Sequence, residues 1–368
     1  MSTALQHAVV LAVAAAVTHL ATGGVIALAP RLGAVVAPDE RHVHERPTPT
    51  GGGAAMYVGM AVALALASRL DAFHDTFAGS SEALAVVVAA GVIFGIGALD
   101  DLHDLSAPAK VAGQVLAGSL LAVLGVTLFF VRLPFGGLVV LSADWATLVT
   151  VVLVVLVANA VNLVDGLDGL AAGMVAIGAC AMYLYARSLQ SAGVLDDANI
   201  GPLLALITVG VCVGFLPRNM HPARVFMGDG GSLLLGLLMA ASTMTISGRV
   251  AEPFSGQVYF FFAPALIPAL VLGVPLIDSI LAVARRAASG AGITNADKDH
   301  VHHRLMRMGH GHRRTVLLLW AWTALASSVA LVPIWAGRGD AVLPFALVGA
   351  VVLLRLLIRP RRTAPAES

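Results

Sequence analysis

Charge is the scarcest commodity in this 368-residue chain: Asp, Glu, Lys and Arg make up 12% of it, against 58% hydrophobic residues and a mean hydropathy of +0.90. A soluble protein of this length needs about 25% charge to cover its surface, so the deficit excludes a water-facing exterior and says that much of the chain faces lipid. Cysteine is nearly absent. Cys180 and Cys212 both lie inside apolar runs, which excludes a disulfide framework and a thiolate metal site. The first twenty residues, MSTALQHAVVLAVAAAVTHL, lack the basic start of a secretory signal and a clear cleavage site, and are read as a retained first span. No internal repeat is evident, which removes one common mark of a transporter.

What is present is a series of long apolar runs. Crossing the hydrocarbon core takes about 20 apolar residues as a helix. Windows of that kind fall near 7–30, 52–70, 83–99, 111–130, 142–160, 170–187, 200–217, 230–247, 257–284, 315–335 and 342–358. The expected fold class is therefore an all-α integral membrane protein, a polytopic bundle of about eleven transmembrane helices. Residues 1–358 form a single catalytic domain in this reading, and 359–368 a mobile tail. The stretch RLPFGGLVVLSAD before the fifth window, broken by Pro134, Gly136, Gly137 and Asp144, suits a small hairpin or re-entrant segment.

The basic residues set an orientation. If the loop 31–51 is cytoplasmic, alternation gives its side Arg31, Arg41, Arg46, Lys110, Arg218, Arg224, Arg285, Arg286, Lys298, Arg304, Arg307, Arg313, Arg314, Arg359, Arg361 and Arg362. The other side keeps Arg69, Arg132, Arg187, Arg249 and Arg338. Sixteen against five is a positive-inside bias that predicts the N-terminus outside and the C-terminus in the cytoplasm.

The same alternation brings the loops 31–51, 100–110, 159–169, 217–232 and 285–314 to one leaflet. Four of them are polar islands at the edges of apolar runs, where carboxylates are costly unless they meet solvent, cations or a ligand. In the first, Asp100, Asp101 and Asp104 precede Lys110. Adjacent acids repel unless a divalent cation or a positive group lies between them, and a hard oxygen site for magnesium answers that repulsion; solvated loop acids, or a helix cap at Asp104, answer it as well. In the second, Asn159, Asn162, Asp165 and Asp168 recur every three residues and are expected on one helix face, with polar helix–helix contacts as the plainer account of the amides. In the third, Asn219 and Phe226 precede Gly228, Asp229, Gly230, Gly231 and Ser232, a glycine turn into a helix that can cradle an anion, with Asp229 suited to a metal. Phe226 suits stacking on a base or anchoring at the interface.

The fourth island holds Asp297, Lys298, Asp299, His300, His302, His303 and Arg304. Its flanking cations and the oxygen-rich partners elsewhere favour phosphate over zinc. His310 and His312 read as surface residues or headgroup contacts, without a role. In the loop 31–51, Arg41, His42, His44 and Arg46 supply donors, while Pro47 and Pro49 stiffen the approach to Gly51 and Gly52. Metal-binding acids, phosphate-binding amides and imidazoles, and an apolar bundle opening at one surface together imply phosphoryl transfer between a soluble phosphorylated donor and a phosphorylated lipid.

The motifs RHVHERPTPTGG, DDLHD, NAVNLVDGLDGLAAG, FMGDGGS and DHVHHRL, in this order over 31–315, resemble those of the polyprenyl-phosphate N-acetylhexosamine-1-phosphate transferases. The resemblance implies a bacterial inner-membrane enzyme with its active site in the cytoplasm. Such an enzyme moves a sugar-1-phosphate from a UDP-sugar to undecaprenyl or decaprenyl phosphate and releases UMP. It uses Mg²⁺, with Mn²⁺ able to substitute. The implied catalytic residues are Asp100 as base, Asp101 supporting the metal, Asp165, and His300, His302 and His303 at the donor pyrophosphate. Asp229 would coordinate the metal; Asp168, Asn219 and Phe226 would form the uridine surface; Lys110 and Arg304 would meet phosphate. The entry at 44–52 and the DxxHxHH form of the histidine loop look more like the GlcNAc-1-phosphate branch than the phospho-MurNAc-pentapeptide branch, the alternative; His42 departs from a common lysine. A transporter for an anionic solute is the alternative of a different class. No nucleic-acid partner is expected, a homodimer is compatible with the chain, and the Ala-, Val- and Arg-rich, Lys-poor composition suggests a high-GC bacterium using decaprenyl phosphate.

Overall fold

The computed structural model describes residues 1–36, 47–133, 137–248 and 311–336, with 348, 349, 351, 352 and 355. Within these the chain is mostly helical. The helices are α1 (Thr3–Leu28), α2 (Gly52–Ala67), the short α3 (His74–Phe77), α4 (Glu82–His103), α5 (Ala107–Val123), α6 (Ala143–Val164), α7 (Leu170–Ser191), α8 (Gly201–Asn219), α9 (Gly228–Ser247) and α10 (His312–Ala336). Two short 3-10 helices, Ala29–Leu32 and Asp71–Phe73, and two antiparallel strand pairs accompany them: β1 (Val35–Val36) with β2 (Thr48–Pro49), and β3 (Phe130–Leu133) with β4 (Gly137–Val140).

The apolar windows account for these helices. Each window from the first to the eighth, and the tenth, lies on a helix; the ninth falls outside the described residues and the eleventh mostly so. Among the described residues, six helices are long and apolar enough to cross a membrane: α1 with the turn after it, α4, α6, α7, α8 and α9. A seventh candidate is α2 with the segment 71–77, bent by 96°. The fourth window is shorter than expected, because α5 stops at Val123 where Gly125 turns the chain at a φ of 103°. The hairpin expected before the fifth window is β3–β4, with Phe130 opposite Val140 and Leu133 opposite Gly137.

Packing places α9 at the centre. Its residues are buried on every side, as a helix apolar all round must be. It touches α2, α4, α6, α7 and α8, and the outer helices follow one another around it: α1 on α2 and α8, α2 on α4, α4 on α5, α5 on α6, α7 on α8 and α10. Close approach at one end depends on glycine. A Cβ on Gly53 of α2 would lie 2.3 Å from the Gly231 amide nitrogen, and one on Gly97 of α4 would lie 2.4 Å from that of Gly230. The outward faces of α5 and α6 expose Val115, Leu116, Leu148, Val152 and Leu156, an apolar belt that water would not tolerate and lipid would.

Candidate active site

The N-terminus of α9 is where the separate islands meet. Asp229, in its first turn, accepts from Lys110 Nζ at 2.5 Å and from Asn162 Nδ2 at 3.3 Å, both on Oδ2. Asn162 is itself fixed, because its Oδ1 accepts the Ser232 hydroxyl at 2.9 Å. Three helices, α5, α6 and α9, thus set the direction of one carboxylate.

Lys110 reaches Asp229 because α4 and α5 form a tight helical hairpin. Asp104 ends α4 in the left-handed region at a φ of 51°, its N–H donating to the Asp100 carbonyl, and Ser106 and Pro108 start α5. The Asp100 carboxylate braces that turn: Oδ1 accepts from the Leu105 N–H at 2.9 Å, and Oδ2 pairs with Lys110 at 2.6 Å. The Lys110 ammonium therefore sits between two carboxylates from different helices. Asp101 faces the other way along α4. Its Oδ1 and Oδ2 accept the N–H groups of Asp229 and Gly230 at 2.8 and 3.3 Å. The anion cradle expected at the glycine turn is thus occupied by the chain's own Asp101.

The second island departs from the expected strip on one helix face. The helix ends at Val164; the Asp165 N–H bonds back to the Asn162 carbonyl, and Gly169, at a φ of 77°, starts α7 after a reversal at 165–169. Asp165 and Asp168 accordingly leave the face that carries the asparagines. Asn159 pairs with the buried Gln114 across α5 and α6, its Nδ2 donating to Gln114 Oε1 at 2.6 Å, which is the helix–helix contact weighed for the amides. Asp165 stays near the acid cluster: burial, then the negative fields of Asp229, Asp101 and Asp168, push its carboxyl up to about 7.

Asp168 points to a different corner. Its Oδ2 accepts from His221 Nδ1 at 2.8 Å and from the Ala223 N–H at 3.1 Å. His312, the first residue of α10, stacks on His221 with ring centroids 4.2 Å apart and lies 3.4 Å from the Asp168 carbonyl oxygen. This corrects the reading of His312 as a surface residue: α10 docks on α7, with Trp320 Nε1 donating to the Leu170 carbonyl, and carries the imidazole inward. The sequence assigns no role to either imidazole, although His221 lies within the island 217–232 and His312 within the loop 285–314. Asp168, His221 and His312 bring three possible ligand atoms within 4.8 Å of one another. The rings are only 21° from parallel, however, so their in-plane lone pairs run side by side and do not converge on one ion.

Asn219 and Phe226 hold backbone together. The buried Asn219 amide accepts from the Gly169 N–H at 3.0 Å and donates to the Val225 carbonyl at 3.0 Å, tying the 165–169 turn to the segment before α9. The Phe226 N–H donates to the Pro49 carbonyl at 2.8 Å and its carbonyl accepts from the Gly52 N–H at 3.0 Å, with the ring half-buried. The PTPTGG segment thereby joins the site through main-chain bonds, as its stiff prolines allow. His300, His302, His303 and Arg304, and likewise Arg41 to Arg46, lie outside the described residues.

The site therefore combines hard carboxylate oxygens, one ammonium and a half-buried acid at the open end of an apolar bundle. That donor set suits a divalent cation bound with phosphate, since a cation already bridges Asp100 and Asp229. The family model for glycosyl transferase family 4 matches residues 83–247, the stretch that holds Asp100, Asp101, Lys110, Asp165, Asp168 and Asp229. The chain is similar to the decaprenyl-phosphate N-acetylglucosaminephosphotransferase of Mycolicibacterium smegmatis, 40% identical over 96% of this chain and 88% of that protein. The protein of the same description from Mycobacterium tuberculosis H37Rv is 41% identical over 94% and 88%. The undecaprenyl-phosphate alpha-N-acetylglucosaminyl 1-phosphate transferase of Escherichia coli K12 is 27% identical over 82% and 77%. With its acid motifs gathered at one end of a membrane bundle and relatives of this identity along nearly its whole length, the chain belongs to glycosyl transferase family 4, the polyprenyl-phosphate N-acetylhexosamine-1-phosphate transferases.

Proposed function

We propose that this protein transfers GlcNAc-1-phosphate from UDP-GlcNAc to a polyprenyl phosphate, decaprenyl phosphate first among the candidates, at the cytoplasmic face of the bacterial inner membrane. The observation that carries the reading is the convergence of Asp100, Lys110, Asn162 and Asp229 from four helices on one point at the end of an apolar bundle. A lipid phosphate held by its chain in the bilayer presents its headgroup at that depth. In the reaction an oxygen of the lipid phosphate bonds to the sugar-bearing phosphorus of the donor. The bond from that phosphorus to the bridging oxygen breaks, and the oxygen leaves with UMP. No redox change and no covalent enzyme intermediate are needed.

Asp229 and Asp100 are the residues that would hold Mg²⁺, or Mn²⁺ in its place. Bound there, the metal would neutralise the charge that builds on the pyrophosphate. Lys110 adds a second positive charge at the same corner and keeps the two carboxylates from separating. Asp100 is also placed to take up a residual proton of the lipid phosphate. Asp165, whose burial favours its protonated form, can donate a hydrogen bond to phosphate oxygen where an ionised acid would repel it. Asp168 and the half-buried Phe226 are the candidates for the uridine end of the donor, and His300, His302, His303 and Arg304 for its pyrophosphate. The eleven-span arrangement with the N-terminus outside is part of this proposal, because it turns the acid-bearing end to the compartment that supplies UDP-sugars.

The test is a donor panel on protein purified in nanodiscs with decaprenyl or undecaprenyl phosphate and Mg²⁺. UDP-GlcNAc should yield UMP and a lipid pyrophosphoryl GlcNAc. UDP-MurNAc-pentapeptide should yield neither, and a reversed preference would move the chain to the other branch. Folded protein inactive with every UDP-sugar would end the transferase reading, and solute flux without UMP release would replace it by transport.

A further inference from the structure

Adjacent carboxylates invite a shared role, yet Asp100 and Asp101 point to different partners. We infer that Asp101 is a positioning residue: its carboxylate caps the N-terminus of α9 from a neighbouring helix, and in doing so aims Asp229. Both of its oxygens are engaged by main-chain N–H groups, those of Asp229 and Gly230. These are among the donors that an α-helix leaves without a partner in its first turn. The N-cap position itself supplies no side-chain cap, since Met227 stands there and accepts nothing. A carboxylate is the favourable group there, opposite the positive end of the helix dipole.

The surroundings are built to bring that short side chain in. Gly228 has a φ of 71°, and a Cβ there would lie 2.3 Å from Asp101 Oδ2 and 2.9 Å from Thr50 Oγ1. Gly97, one turn before Asp101 on α4, would meet the Asp229 carbonyl carbon at 2.5 Å if it carried a Cβ. Both glycines remove atoms from the path between α4 and α9. The Asp229 N–H bonded to Asp101 belongs to the residue whose side chain meets Lys110 and Asn162, so the cap fixes the backbone from which that carboxylate projects. Asp101 thus acts on the cation corner through Asp229.

This inference rests on reading Asp229 as the metal residue, and the test separates the two. Mn²⁺ titration followed by electron paramagnetic resonance, on metal-free protein in detergent, compares the wild type with Asp101→Asn, Asp101→Glu and Asp229→Asn. Asparagine can still accept from the Asp229 N–H, the shorter of the two bonds, and gives up the longer one to Gly230, so Asp101→Asn should bind Mn²⁺ within about threefold of wild type and melt only somewhat lower. Its kcat should fall by about tenfold with KM for UDP-GlcNAc unchanged, the cost of a less firmly held neighbour. Asp101→Glu keeps the charge and loses the fit, and should melt lower and turn over more slowly than Asp101→Asn. Loss of Mn²⁺ binding in Asp101→Asn comparable to that in Asp229→Asn would overturn the inference and make Asp101 a ligand. So would Asp101→Glu outperforming Asp101→Asn, or Asp101→Asn failing to fold. Full Mn²⁺ binding by Asp229→Asn would instead sink the metal reading of Asp229, leaving the order of Asn over Glu in melting to decide the cap.

Discussion

The two ends of the bundle use polar residues in opposite ways. At the end away from the acids, Gln6 Oε1 accepts the Ala72 N–H at 2.9 Å, and His7 meets the Tyr183 hydroxyl at 2.8 Å while stacking on Phe73. The β3–β4 hairpin hangs there on the Gly248 carbonyl through the N–H groups of Phe129 and Phe130. Each of these contacts closes a helix end or fills a gap, and none sets like charges against one another. At the other end Asp100, Asp101, Asp165 and Asp229 are kept in one another's fields, with one ammonium among them. A bundle needing only closure would not gather acids, because each must lose water and repel its neighbours. An excess of unfavourable negative charge at one end marks a functional site and favours a positive group bound there.

Breaking the acid end should therefore cost function, and breaking the far end only stability. The largest effect is expected for Asp229→Asn, which keeps the shape and removes the charge: turnover should fall by about a thousandfold or more, together with Mn²⁺ affinity measured without substrate. Lys110→Gln comes next, with kcat down about a hundredfold and partial recovery in Lys110→Arg, measured by UMP release. Asp168→Asn should act on the donor alone. Replacing the charged acceptor of His221 and Ala223 by a neutral amide oxygen should raise KM for UDP-GlcNAc roughly tenfold, with Mn²⁺ affinity unchanged; an equal loss of metal binding would merge the two corners into one. His7→Phe sharpens the contrast from the other side, since it keeps the stack on Phe73 and drops the Tyr183 contact. It should destabilise the fold by the value of one hydrogen bond, about 1 kcal/mol, read as a lower melting temperature, and leave UMP release unchanged. A fall in turnover there would show that the two ends are coupled.

Much of this architecture is legible in the sequence because membrane helices are dictated by length and hydropathy, which are local properties. The windows at 83–99 and 230–247 became α4 and α9, and the proline- and glycine-broken stretch before Ala143 became a hairpin. The identity of the site residues is legible for a similar reason: an acid at the end of an apolar run has few structural excuses. What a residue does there is not local. The period-three series from Asn159 to Asp168 reads as one helix face until the reversal at 165–169, held by the distant Asn219, sends Asp168 to His221. Likewise His312 lies 144 residues from the Asp168 carbonyl it approaches, and only the docking of α10 on α7 makes it part of the site. The paired acids DD look equivalent in sequence, whereas on a helix consecutive residues diverge by about 100°, and Asp100 and Asp101 consequently serve α5 and α9 in turn.

The smallest effect expected is also the most direct measure of the charge imbalance. The Asp165 carboxyl, ordinarily near 3.8, is pushed up to about 7 by burial and by the fields of Asp229, Asp101 and Asp168. The folded protein therefore holds a proton there that the unfolded chain has released, and between those two values stability must fall as pH rises. Above about 7 the full cost is present; towards pH 4 it vanishes. Asp165→Asn keeps the size and cannot ionise, so in metal-free detergent solution it should melt a few degrees above wild type at pH 8, and the gap should shrink steadily toward pH 5. Mg²⁺ should narrow the gap at pH 8, because a cation beside Asp229 offsets part of the field that Asp165 feels. Equal melting temperatures at pH 8 without metal would mean that the acids at this end do not strain one another, and the contrast between the two ends would lose its physical basis.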